Sequence, residues 1–137
     1  MRVKKKGNMR VLLISANTEK INILPMPLGL NYVAAATQNK GHNVKVLDLM
    51  VHTDSRLPIT EMIKSFRPDV IGISVRNIDD QNMNNPRFML DDVKEIVLHC
   101  RSLSDATIVL GGAGYSIFPD AVLTYLEADM GIQGEGE

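Results

Sequence analysis

Gly111, Gly112 and Gly114 follow a short apolar run, Thr107 to Leu110, and precede Pro119, near which a helical pattern begins. Glycine has no Cβ, so a flat ligand can approach its backbone closely. An apolar strand, a glycine elbow and a helix start describe the carboxyl end of a buried parallel strand, where open α/β sheets hold their ligands. Two more positions share that setting. Ser74 closes the apolar run Val70 to Ile73 with a hydroxyl, and Gly29 lies at the start of another helical pattern. Which ligand they serve depends on the residues at the other strand ends. His42, His52 and His99 have no second histidine or cysteine at metal spacing, so no metal ligand is expected from this chain.

The elements that must position these residues alternate regularly. Val11 to Ile14, Val44 to Leu47, Val70 to Ile73, Thr107 to Leu110 and Met130 to Ile132 read as five strands. Leu28 to Asn39 reads as the first helix, with Ala34, Ala35 and Ala36 packing closely on a sheet and Gly41 as its stop. Ile59, Met62, Ile63 and Phe66 fall on one helical face, as do Val93, Ile96, Val97 and Cys100. Ala121 to Leu126 completes the helices. Nearly continuous apolar strands separated by helices imply a parallel sheet covered on both faces. The expected fold is α/β, flavodoxin-like (Rossmann-like) and doubly wound, with five parallel strands in the order 2-1-3-4-5. A final helix after the fifth strand is absent from the pattern, so residues 9–137 are expected to be one domain of a longer chain. Residues 1–8, with Lys4, Lys5 and Lys6, read as a disordered basic tail.

Composition narrows the function. A hydrophobic fraction of 45% with 23% charged residues fits a folded domain of 137 residues. A net charge of -1, no Trp and only three Phe argue against a nucleic-acid surface. No apolar run approaches the roughly 20 residues of a membrane span. A single cysteine, Cys100, excludes an intrachain disulfide and points to a reducing, cytoplasmic setting. Cys100 lies on an apolar helix face and reads as a core residue, and His99 beside it reads as solvent-facing. His52 is expected near the ligand, and His42 at the opposite end of the sheet.

Several ligands use this architecture. A phospho-acceptor receiver domain needs an Asp where Ser74 stands. A flavodoxin phosphate loop needs glycine after the first strand, but none lies between Ile14 and Gly29. Gly112-x-Gly114-x-x-Ile117 follows the fourth strand and lacks the third small residue of a dinucleotide fingerprint.

Gly29, Ser74 and Gly111-Gly112, in that order, resemble the cobalamin-binding domain pattern Asp-x-His-x-x-Gly, Ser-x-Leu, Gly-Gly. Met26 occupies the position of the cobalt-ligating histidine, Leu24 that of the aspartate, and Arg76 that of the Leu. A thioether is a weak cobalt ligand, so Met26 is expected to pack beside the cofactor. The phrases Pro27-Leu-Gly-Leu-Asn-Tyr-Val-Ala-Ala-Ala36, Pro68-Asp-Val-Ile-Gly-Ile-Ser74, Arg76-Asn-Ile-Asp79, Leu110-Gly-Gly-Ala-Gly-Tyr-Ser-Ile-Phe-Pro119 and Gly134-Glu-Gly-Glu137 extend the resemblance. They make the chain similar to the N-terminal cobalamin domain of B12-dependent radical SAM proteins.

That resemblance implies a cofactor-binding set of Asn17, Met26, Gly29, Ser74, Arg76, Asn77, Gly111, Gly112, Ala113, Gly114 and Glu135, with no catalytic residue in this chain. It implies cobalamin bound base-off without a histidine ligand, its nucleotide tail beside the sheet and Ser74 bonded to the buried base. A leucine at Gly112 is then expected to weaken binding more than folding. The three-cysteine loop that carries the [4Fe–4S] cluster and S-adenosylmethionine is expected in a downstream radical SAM domain, and methyl transfer to an unreactive carbon is the implied reaction. The alternatives are a stand-alone corrinoid carrier or sensor, and a flavodoxin-like FMN-binding or interaction module. The polar stretch Arg76 to Pro86 reads either as a loop over the corrin edge or as solvated surface. Asp80, Asn82, Asn84 and Asp91 only faintly imitate a calcium loop, since Asn85 stands at its glycine position.

Overall fold

The computed structural model describes residues 7–17, 27–76, 90–134 and 136. Five parallel strands form one sheet in the order β2-β1-β3-β4-β5, as the strand pattern predicts. They are β1 (Arg10–Ser15), β2 (Asn43–Asp48), β3 (Val70–Ser74), β4 (Thr107–Gly111) and β5 (Met130–Gly131). The helices are α1 (Leu28–Asn39), α2 (Arg56–Phe66), α3 (Leu90–Leu103), α4 (Ala113–Ile117) and α5 (Pro119–Leu126), with a 3₁₀ turn at Leu49–Val51.

Register explains the placement of the site. Ser15, Ser74 and Gly111 stand side by side in the last paired row of β1, β3 and β4. Because side chains alternate along a strand, one sheet face carries Leu12, Ile14, Ile71, Ile73, Ile108 and Leu110, all at most 1% exposed. The pattern residues of α2 and α3, together with Val122 and Leu126 of α5, close over this face in the main core. The other face carries Val11, Leu13, Val70, Gly72 and Val109. There a smaller cluster joins Val11, Leu13 and Ala34 of α1. α1 packs against β1 and β2, and Val70, Gly72, Val109 and Gly111 on β3 and β4 are only half-buried.

Several local expectations change. Of the three alanines in α1 only Ala34 is buried, while Ala35 faces solvent. The helix stop holds: Gly41 has φ +90° and its N–H donates to the Gln38 carbonyl at 2.9 Å. His99 does not simply face solvent. Its Nε2 lies 2.8 Å from Thr60 Oγ1 and 3.2 Å from the Arg56 carbonyl, so it links α3 to α2. His42 sits at the amino end of the sheet, where its Nδ1 accepts from the Met9 N–H at 3.1 Å. Cys100 is fully buried, and burial pushes its thiol up to about 12, which makes it a core residue and a poor nucleophile. Asp129 fastens the far edge of the sheet: its carboxylate accepts from the Ile108 N–H at 2.8 Å and from Arg101 at 3.1 Å. Among the described residues no helix is long and apolar enough to cross a membrane.

Candidate functional site

At the carboxyl ends of the strands, on the α1 face, lies a cleft of about 770 Å³. Its floor is the uncovered strip of sheet, with Gly72 and Ser74 from β3 and Val109 and Gly111 from β4. Leu28, Gly29, Tyr32 and Val33 of α1 form one wall, and Ala113, Ser116 and Ile132 stand opposite. Ser15, Asn17, Asp48 and Arg76 add polar groups. A mostly apolar cleft with a few convergent polar groups is the usual form of a small-molecule site.

Seven of the sequence-derived residues meet here: Asn17, Gly29, Ser74, Arg76, Gly111, Gly112 and Ala113. Gly114 is not on the wall. It is buried, and a Cβ there would lie 2.9 Å from the Arg76 carbonyl oxygen. Met26, Asn77 and Glu135 lie outside the described residues, as does the polar stretch from Asn77 to Pro86. His52 is also absent from the wall. It follows the 3₁₀ turn, where its N–H donates to the Leu49 carbonyl at 3.1 Å, and Asp48 and Met50 line the cleft instead.

The glycines differ in what they do. A Cβ on Gly29 would meet nothing within 4 Å, and one on Gly111 would meet only the Ile132 carbonyl oxygen at 3.9 Å. Both leave room in the cleft. Gly112 has φ +98° and ψ 169°, a region essentially reserved for glycine. A Cβ there would lie 2.6 Å from the Val75 carbonyl oxygen and 3.0 Å from Ser74 Oγ. Its missing side chain therefore points at the β3 backbone. The expectation that a leucine at Gly112 would act mainly on binding is corrected: this glycine lets the turn sit against β3, with the Val75 N–H donating to Gly111 O and the Gly114 N–H to Val75 O, both at 2.8 Å.

Some wall residues were not singled out from sequence. Ser15 shares the last row with Ser74, a relation that becomes visible only once the register of β1 and β3 is fixed. Gly72 carried a readable signal, since glycine inside a strand often marks close backbone approach. Ser116 lies in α4, a five-residue helix that has no sequence signal of its own. Gly112 and Gly114 interrupt the helical pattern, which in the sequence begins only near Pro119.

The B12 binding domain model matches residues 8–137. This chain belongs to the B12-binding domain family. It is similar to tryptophan 2-C-methyltransferase of Streptomyces laurentii, with 30% identity over 122 residues, covering 88% of this chain and 20% of the relative. Two structures of the radical S-adenosylmethionine methyltransferase TsrM from Kitasatospora setae superpose closely. One, with tryptophan and a SAM analogue, gives a TM-score of 0.88 at 30% identity, covering 95% of this chain and 24% of TsrM. The other, with cobalamin and a [4Fe-4S] cluster, gives 0.86 at 29% identity, covering 93% and 22%. This B12-binding domain thus spans about a fifth to a quarter of the length of these relatives.

Proposed function

We propose that the cleft holds cobalamin base-off, with the nucleotide tail laid along the open strip of sheet and no histidine from this chain on cobalt. The observation that carries this reading is the asymmetry of the floor. Gly72, Ser74, Val109 and Gly111 are left uncovered beside α1, while the opposite face is closed. The cradle suits the group: the space a Cβ would take at Gly29 and Gly111 is open, and the cleft of about 770 Å³ has room for a bulky heterocycle.

Each residue then has a role. Ser74 donates its hydroxyl to a nitrogen of the buried base, which has lost its water partner. Gly111 keeps the floor flat, and Gly29 leaves passage past the start of α1. Asn17, Arg76 and Ala113, which also line the cleft, would hold the rest of the cofactor, and the apolar walls would exclude water. Met26, Asn77 and Glu135 belong to the same reading through the family pattern. When bound, cobalamin supplies the methyl-transfer or redox chemistry, and the protein supplies binding and orientation.

Residues 9–137 are on this reading the cofactor-holding domain of a radical SAM enzyme that transfers a methyl group to an unreactive carbon. The [4Fe–4S] cluster and S-adenosylmethionine belong to another domain of that enzyme. Similarity to two proteins named as methyltransferases, each several times longer than this chain, supports it.

The test is EPR of the cob(II)alamin complex of this chain. With Met26 at the histidine position, no superhyperfine splitting from an axial nitrogen is expected. A nitrogen splitting would refute base-off binding without an imidazole.

A further inference from the structure

Ser116 lies in α4, on the wall of the cleft. Its hydroxyl donates to the Gly112 carbonyl at 3.0 Å and accepts from the Gly134 N–H at 2.9 Å. Its own carbonyl accepts from Gln133 Nε2 at 3.5 Å. A serine hydroxyl has one proton to give and lone pairs to receive, and here both capacities are used. The two bonds join Gly112 (φ +98°) to Gly134 (φ +82°), two turns in which the chain changes direction.

The segment it holds follows the edge strand of the sheet. β5 is two residues long, and its pairing with β4 ends at Gly131. One further bond, from the Ile132 N–H to the Leu110 carbonyl at 2.8 Å, continues the ladder. Beyond Ile132, among the described residues, the hydrogen bonds given by Gln133 and Gly134 go to Ser116. The chain then reaches α1: a Cβ on Gly136 would lie 3.3 Å from Val33 Cγ2. Ile132, Gly134 and Gly136 all line the cleft. Ile132 and Gly134 thus form part of the cleft wall on the β4 side, and Gly136 lies close to Val33 of α1.

We propose that Ser116 is a positioning residue for the cofactor: its hydroxyl ties the exit from β5 to the glycine turn and so holds Ile132 and Gly134 in place on the cleft wall. This rests on the reading of the cleft as the cobalamin site. Two quantities test it in this chain: hydroxocobalamin affinity by absorbance titration, and amide exchange at Gly134 by NMR without cofactor. In Ser116→Ala, Gly134 exchange should quicken several-fold, with little change at amides of β1 and β3. Affinity should fall at least about twofold, the lower end of the range for one lost hydrogen bond. Ser116→Thr, which keeps the hydroxyl, should restore both. If Ser116→Ala does not fold, Ser116→Cys, of similar volume but a weak donor, must show the same two changes. Unchanged Gly134 exchange, or wild-type affinity in a variant whose Gly134 exchange has quickened, overturns the proposal. Failure of the wild-type chain to bind hydroxocobalamin overturns the cofactor reading and the proposal with it; the Gly134 measurement distinguishes that outcome from a missing clamp.

Discussion

The two faces of the sheet are built from the same strands and serve different ends. One face presents Leu12, Ile14, Ile71, Ile73, Ile108 and Leu110 to three helices and excludes water almost completely. The other presents Val11 and Leu13 to α1, then leaves Gly72, Ser74, Val109 and Gly111 as the floor of a cleft. Burial of large aliphatic side chains stabilises the fold by about 1.5–3 kcal/mol each. The open strip gives up that gain over β3 and β4. Gly72, Ser74 and Gly111 in it are small or polar at positions where a core would demand leucine or isoleucine. A sheet with one face packed for stability and the other kept thin beside a helix is suited to a flat ligand that completes the missing layer.

The first way to break this comparison is to damage the closed face. Ile71 is 0% exposed, so Ile71→Ala should cost about 2–5 kcal/mol of stability, read from urea midpoints. A loss below about 1 kcal/mol would mean that this face is not the main core. Gly112→Ala should come next. Its φ of +98° alone costs about 1–3 kcal/mol for a residue with a Cβ, and the contact with the Val75 carbonyl oxygen adds to it. A folded Gly112→Ala protein with an unchanged thermal midpoint would contradict the role given to this turn. On the open face, Ser74→Ala should leave the midpoint nearly unchanged and weaken hydroxocobalamin binding by roughly 0.5–1.5 kcal/mol. Equal affinity would remove Ser74 from the site.

A smaller effect concerns pH at the edge of the sheet. Burial opposes ionisation of Asp129, but hydrogen bonds from the Ile108 N–H and Arg101 outweigh it and hold the carboxyl below its usual 3.8. A carboxyl lowered in the folded state contributes stability above its unfolded value and loses it as pH falls through the folded value. The advantage of the wild-type chain over Asp129→Asn should therefore be present at neutral pH and shrink once the pH passes below 3.8. Since Asp129 and Arg101 are 40% and 37% exposed, the effect should be modest. Urea midpoints of both proteins across that range check it, and a difference independent of pH would contradict the assignment.

The fold was largely legible because its signals are repetitive. Apolar runs such as Val11–Ile14 and Val70–Ile73 separate from helical faces such as Val93–Cys100 by period alone, and alternation of the two implies the parallel sheet. The site was legible where a residue type carries its own meaning, as with the hydroxyl of Ser74 at a strand end and the glycines beside it. What escaped depends on relations between distant residues. Ser15 joins Ser74 only through strand register. The bonds of Ser116 to Gly112 and Gly134 and the tie from His99 to Thr60 have no sequence period. The direction of a missing Cβ is likewise invisible in sequence: Gly111 and Gly112 are neighbours, yet one opens into the cleft and the other abuts β3.

That difference between neighbours gives the most direct test of the central claim, that the open face is kept clear for cobalamin. Gly111→Leu places a side chain where a Cβ meets only one atom within 4 Å. Hydroxocobalamin titration of this variant and of the wild-type chain, with thermal midpoints of both, decides the matter. Gly111→Leu should fold with a midpoint close to wild type and lose at least tenfold in affinity. A folded Gly111→Leu chain that binds hydroxocobalamin as tightly as wild type would contradict it.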